Sequence, residues 1–444
     1  MSKDNSQLLG KSFSCACGKE HAVPTEYLYY GDTSYSALNN VIVQFAPCGK
    51  VLVVADKRTY EAAGKDVMHV LPQNNVALYI VEDSEGESPA ADDVTKDRIL
   101  AEAPQAEIYI AVGSGVINDL VKWVAFLRKK PYITVPTAAS MNGYASANVA
   151  ATVDGLKVLF HADACKSVHV SPQVLIDAPY TLTASGLGDV LAKSVSSADW
   201  KMNQYLFGEY YCQFSVDLLK DLEPIYLDNP TDIKTKDPQA IQALFEALFY
   251  SSIAMTITGT SSPASGGEHL ISHTLDMTAN RDHTIHDLHG RQVGVASILM
   301  GALYERVMNI DKPVFHEPPA SIDTTFWGSL SAVVEKEYGK KKAKFELAAN
   351  RLSSENNWRE LQNKIKPGLV PSQKLKNCLA QADAAHRYSD ILDHGQPLQR
   401  EKFLKVVRNA NQMRERFTIL DLAILLGVLP GELDDLVDKW VSSN

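Results

Sequence analysis

Along the first 180 residues, short continuous apolar runs alternate with stretches of helical spacing. Lys50 to Ala55 (KVLVVA), Val76 to Val81 (VALYIV), Glu107 to Val112 (EIYIAV) and Tyr132 to Val135 (YITV) do not alternate apolar with polar residues. Such runs suit strands covered on both faces, as in a parallel sheet. Val168 to Asp177 (VHVSPQVLID) predicts one or two more short strands around Pro172, which excludes a single central strand there. Helical text such as Ile117 to Arg128 fills the gaps, and the alternation predicts a nucleotide-binding-type sheet with ligands at the carboxyl ends of its strands. After Asp177-Ala178-Pro179 the apolar residues recur at helical spacing, with Thr181 or Thr183 as cap of the first helix. The pattern therefore predicts α/β + α: a parallel-sheet domain over residues 1–180 and an all-helical domain over 181–444. The run Lys340 to Lys342 lies in helical text and reads as a solvated helix face.

Charge narrows the partners. The chain carries 43 basic and 53 acidic residues, a net charge of −10, which argues against a general nucleic-acid or anionic-membrane surface. No stretch is expected to reach the apolar length of a membrane helix; the nearest, Ile419 to Leu429, is broken by Asp421 and reads as a buried helix. The start, MSKDNSQLLG, lacks a basic-then-apolar signal pattern. Six cysteines in 444 residues are too few for a disulfide scaffold, so a reducing, cytoplasmic compartment is expected.

Two segments carry candidate chemistry. Gly113-Ser114-Gly115 follows a predicted strand and opens a predicted helix, where glycines let the backbone approach a diphosphate and the helix N–H groups complement its charge. Glycine turns also follow strands in folds with no phosphate ligand, and a GxGxxG fingerprint would need glycine at Asn118. Asp56 ends the strand KVLVVAD, where a carboxylate either accepts from an adenosine ribose or caps a helix; Lys57 and Arg58 beside it leave NADP open. The second segment is discontinuous. Asp189 stands in SGLGDV with Lys193 one turn later, His269 and His273 are spaced to share one helix face, and His289 follows in LHG. One aspartate and two histidines can bind a divalent ion and leave positions open for substrate. Spacing alone does not choose among the histidines; His283 and His286, between polar residues, read as loop or supporting residues.

In order along the chain, GSGVIND, Pro136 to Ser146 (PTAASMNGYAS), SGLGDVLAK, GGEHLISH and LHG closely resemble the sn-glycerol-1-phosphate dehydrogenase family, most of all its bacterial branch. That family lies in the superfamily of dehydroquinate synthases, glycerol dehydrogenases and iron-containing alcohol dehydrogenases. The resemblance runs from Lys50 to the segment Met413 to Thr418. It implies a Rossmann-like N-terminal domain, a helical C-terminal domain and an active-site cleft between them. It implies Asp189, His269 and His289 as metal ligands, with zinc the commonest family metal and nickel or iron in relatives. The dinucleotide, NAD(H) or NADP(H), would contact Asp56, Gly113, Ser114, Gly115, Asn118, Asp119, Thr137, Ser140 and Ser146. The implied reaction interconverts dihydroxyacetone phosphate and sn-glycerol 1-phosphate, a step of phospholipid metabolism, with Asn142, Asp189 and His273 on the substrate. His273 is the candidate for proton transfer or substrate orientation. Lys193 is the candidate electrostatic partner of Asp189 or substrate, or else a simple helix salt bridge. A homodimer or larger homo-oligomer is expected by analogy.

The chain departs from the family at Asn142, where an aspartate is usual; asparagine keeps the hydrogen-bonding shape but loses the charge. Another phosphorylated polyol or ketone as substrate, a dehydroquinate-synthase-like cyclase and a degenerate binding subunit are the competing readings. Arg291, where the superfamily commonly has glutamate, reads as a helix-surface residue. Cys15-Ala16-Cys17-Gly18 with His21 has the residue types of half a zinc site, but a second pair at matching spacing is missing; the segment reads as a small β-hairpin. Cys165, Cys212 and Cys378 show no reactive neighbourhood, and no nucleophile-elbow pattern surrounds Ser140.

Overall fold

The structure is a computed structural model that describes residues 5–47, 49–72, 75–84, 88–154 and 156–442. Cys48, the one further cysteine near the N-terminal pair, lies outside them. The four continuous apolar runs form strands β4 (Val51–Asp56), β5 (Val76–Val81), β6 (Ile108–Val112) and β7 (Tyr132–Val135). With β3 (Tyr27–Tyr30) and β10 (Ser167–Val170) they make a six-stranded sheet of order β3-β10-β7-β6-β4-β5. Every pairing in it is parallel. All residues of β4, β6 and β7 are buried, as strands covered on both faces must be, while β5 at the edge is mostly half-buried.

Two local expectations need correction. Val168 to Asp177 holds one strand and then a helix, Pro172–Asp177, because Pro172 sits at its first turn, where a missing N–H is harmless. Thr181 and Thr183 lie inside helix Tyr180–Leu191 instead of capping it; Leu182 already donates to the Pro179 carbonyl oxygen at 2.9 Å.

By internal contacts the chain divides into two units. Unit 1 comprises Met1–Gly186, Asp217–Tyr226 and Asp232–Thr260; unit 2 comprises Leu187–Val216, Leu227–Thr231 and Ser261–Asn444. Unit 1 holds the sheet, the antiparallel pairs β1 (Ser12–Ser14) with β2 (Glu20–Ala22) and β8 (Asn148–Val153) with β9 (Leu156–His161), and helix Pro238–Thr258. That helix is long and apolar enough to cross a membrane, contrary to expectation, but 89% of its apolar window is buried in the protein. Unit 2 is largely helical.

The basic run also differs. Lys340 and Lys342 are exposed, but Lys341 is fully buried, because it falls on the inward stripe Val334, Tyr338, Lys341, Phe345 of helix Ser331–Leu352. Its ammonium lies 3.1 Å from both carboxylate oxygens of Asp421 and donates to the Asn411 carbonyl.

Candidate metal and dinucleotide sites

Unit 2 brings Asp189, His269 and His289 together: one ligand atom from each lies within 4.8 Å of the others. Asp189 comes from the last turns of helix Tyr180–Leu191, His269 from the first turn of helix Gly267–Arg281 and His289 from the start of helix His289–Met308. Gly188 makes the approach possible. A Cβ there would lie 2.0 Å from the Gly290 carbonyl oxygen, so only glycine lets Asp189 arrive beside the LHG turn.

Both imidazoles are held in one tautomer by their surroundings. His269 Nδ1–H donates to Glu268 Oε1 at 2.8 Å, which turns Nε2 to Asp189 Oδ1, 3.6 Å away. His289 Nδ1–H donates to Ser272 Oγ at 2.9 Å, and Ser272 donates onward to Gln292 Oε1 at 2.7 Å. Each ring thus offers the Nε2 lone pair, the arrangement seen where a partner behind a histidine sets its tautomer for a metal. Burial, with Arg414 and Arg416 nearby, pushes the His269 pKa down to about 3, so the ring is neutral and ligand-competent at neutral pH. Two neutral nitrogens and a carboxylate oxygen fit a divalent cation.

Behind this cluster lies a carboxyl pair that the sequence reading missed. Glu268 is fully buried and accepts from the Gly266 N–H at 2.7 Å; burial pushes its pKa up to about 7. Asp199 accepts from Tyr304 Oη at 2.5 Å, Gly267 N at 2.7 Å and Ile419 N at 2.7 Å, and burial together with Glu268 pushes it up to about 7. Glu268 could have been suspected from the motif GGEHLISH itself, and Ser272 and Gln292 from their positions three residues after His269 and His289. No sequence signal points to Asp199.

His273 is buried, and its ring stacks on His289 with centroids 5.4 Å apart. It also forms a second ligand-type group with Asp276 and the shared His289. His286 is exposed, its Nδ1 3.3 Å from Asp276 Oδ1. His283 is exposed too, with φ of 52° in a turn. Lys193 opens the next helix, Lys193–Phe207, and Ala192 between the two helices keeps helical dihedrals, so only this one residue interrupts the run from Asp189 to Lys193. Arg291 is half-buried, its Nε 2.9 Å from Asp287 Oδ2.

In unit 1, Gly113 to Gly115 joins the carboxyl end of β6 to helix Gly115–Arg128. Gly113 has φ of 155°, and a Cβ would meet Ile117 at 2.7 Å; at Gly115 a Cβ would make only ordinary contact, with Met141 Cγ at 3.9 Å. Ser114 Oγ donates to Ala138 O at 2.9 Å and accepts from Ala138 N at 2.9 Å and Thr137 N at 3.3 Å, locking the turn to Thr137 and its neighbours. Asn118 is fully buried between Gly143 O and Thr134 Oγ1. Lys122, another residue not singled out from the sequence, is fully buried and donates to Asp119 Oδ1, Gly143 O and Ser146 Oγ at 3.0 Å and Asn148 O at 2.9 Å. The half-buried Ser140 and Asn142 lie in the loop thus fastened. Asp56 Oδ1 caps the following helical turn, accepting from Arg58 N at 2.7 Å and Thr59 N at 3.0 Å.

The sheet-plus-helix fold is that of the iron-containing alcohol dehydrogenases. Residues 30–179 match the family described as iron-containing alcohol dehydrogenase. The solved iron-containing alcohol dehydrogenase of Thermotoga maritima has the same fold, with a TM-score of 0.51 at 17% identity over 88% of this chain and 98% of that one. Within this class the chain is 33% identical over 303 residues to the glycerol-1-phosphate dehydrogenase (NAD(P)+) of Geobacillus thermodenitrificans, covering 67% of this chain and 75% of that protein. It is 32% identical over 275 residues to that of Pyrococcus furiosus, covering 62% and 77%. The chain belongs to the glycerol-1-phosphate dehydrogenase family, and thereby to the NAD(P)-dependent oxidoreductases.

Proposed function

We propose that the chain interconverts dihydroxyacetone phosphate and sn-glycerol 1-phosphate with NAD(P)H, using one divalent metal, with zinc as the ion. The observation that carries this reading is the convergence of Asp189, His269 and His289 with both rings locked to offer Nε2. A bound divalent ion supplies Lewis-acid polarisation of the substrate carbonyl. The rest falls to the chain. The backbone of Gly113, Ser114 and Gly115 receives the cofactor pyrophosphate at a helix N-terminus. Asp119 and Ser146 hold that turn through Lys122 and Asn118 through the Gly143 carbonyl, while Thr137 and Ser140 line its neighbourhood. Asp56, with one oxygen committed to the cap, offers the other to a ribose hydroxyl.

Asn142 donates and accepts at the substrate hydroxyls without adding charge. His273 orients substrate and passes a proton, and Lys193 offsets the phosphate charge. The dinucleotide and metal domains divide at residues 180 and 181 in this reading, and the enzyme works in the cytoplasm as a homo-oligomer in phospholipid synthesis.

The test is NADH oxidation by metal-reconstituted protein with dihydroxyacetone phosphate, beside a chelator-treated control and His269→Ala. Chelator-sensitive turnover that vanishes in the variant is the expected result, and product chirality checks the assignment. Metal binding without turnover on this substrate, but with turnover on another phosphorylated polyol, would reassign the substrate.

A further inference from the structure

We propose that unit 1 carries a second metal centre, independent of the reading above: Cys15 Sγ, Cys17 Sγ and His21 Nε2 bind one zinc-type divalent cation. Ligand-type atoms of these three residues lie within 4.8 Å of one another. Cys17 Sγ is 3.3 Å from His21 Nε2. Zn–S bonds of about 2.3 Å and Zn–N bonds of about 2.0 Å at tetrahedral angles put ligand atoms roughly 3.5–3.8 Å apart, so only small shifts are needed.

The hairpin is built to present these atoms. Strand β1 pairs with β2 so that Phe13 faces His21, and the turn between them closes through Cys15 N to Lys19 O and Gly18 N to Cys15 O, both 3.0 Å. Gly18 takes φ of 84°, which a residue with a side chain rarely adopts, and so folds Cys17 back toward the strand bearing His21. His21 is 1% exposed, unlike its strand neighbours. Its Nδ1–H donates to the Ile257 carbonyl oxygen at 2.7 Å, in helix Pro238–Thr258 of the same unit. That bond fixes the tautomer and leaves the Nε2 lone pair directed at the thiols, as a backbone carbonyl does behind a metal-bound histidine.

A pair of three-residue strands gains little stability from its own ladder, so a cross-link that ties it down has a structural use. On binding, the two thiol protons leave to solvent and two S–metal bonds form, which leaves the site uncharged before a fourth ligand completes the tetrahedron.

The full chain, stripped and reloaded with cobalt(II), tests this. The catalytic donor set contains no sulfur, so a near-ultraviolet thiolate-to-cobalt charge-transfer band reports this site alone. The band is expected in the wild type and in His269→Ala, and absent from Cys15→Ser/Cys17→Ser, whose zinc content falls by about one ion per chain. His21→Cys should keep the ion and intensify the band; this variant decides the matter if the double serine variant does not fold. No band in the wild type, a band that survives the double substitution, or a band unchanged in His21→Cys would each overturn the proposal.

Discussion

Glu268 holds the ring of its own neighbour: its Oε1 accepts the Nδ1–H of His269 at 2.8 Å and the Gly266 N–H at 2.7 Å. The carboxyl group is therefore fixed by backbone before any ion arrives, and the imidazole inherits that fixed direction. Glu268→Gln is expected to keep the fold but weaken metal retention roughly 10- to 100-fold. A chelator-competition titration checks it; unchanged affinity would remove Glu268 from the site.

Gly188 admits no side chain, since a Cβ would stand 2.0 Å from Gly290 O. Gly188→Ala should push the Asp189 and His289 helices apart, with a loss of about 2 kcal/mol or more by denaturant titration together with lost metal. A stable variant that retains its ion would show that the helices can part without cost to the site.

Lys341 and Asp421 form a buried pair, whereas Lys340 and Lys342 face solvent. Lys341→Met leaves Asp421 uncompensated and should cost about 3–5 kcal/mol, against ~0.5 kcal/mol or less for Lys342→Met. Equal effects in the two variants would mean that water reaches Asp421.

Acid should weaken unit 1 through His169. This ring is buried on β10, with Nδ1 2.8 Å from Ser34 O and Nε2 2.9 Å from Ser167 Oγ. Burial pushes its pKa down to about 4 from an ordinary 6.5. The folded chain therefore binds this proton less readily than the unfolded chain. Its stabilisation is whole above pH 6.5, falls as pH drops toward 4, and amounts to about 3 kcal/mol when lost. In His169→Gln the difference in Tm between pH 7.5 and pH 4.5 should shrink by a corresponding amount; an unchanged difference would place the acid sensitivity elsewhere.

The strands were legible because β4, β6 and β7 are covered on both faces, and that condition leaves continuous apolar text. Residue types and spacing pointed to a metal site but left its histidines open, and the family resemblance picked Asp189, His269 and His289. What escaped depends on tertiary neighbours. Lys341 reads as a surface lysine until Asp421, 80 positions away, is brought beneath it. Asp199 is an ordinary helical aspartate until Tyr304, Gly267 and Ile419 converge on it. Val174 to Asp177 read as strand because β-branched composition outweighed the proline that starts a helix.

Lys122 fastens the loop that carries Asn142 to the helix after the glycine turn. Its single ammonium ties Asp119, on the helix that opens at the glycine turn, to the carbonyl of Gly143, next to Asn142. On the proposed function, dinucleotide grip and substrate choice would thus share one fastener. On that function an altered side chain at position 142 would retune substrate contact by itself, whereas any insertion that lifts the Gly143 carbonyl would strand a buried positive charge and slacken the glycine turn as well. If this loop chooses the substrate, divergence toward new substrates is therefore channelled into single-residue exchanges at constant loop length.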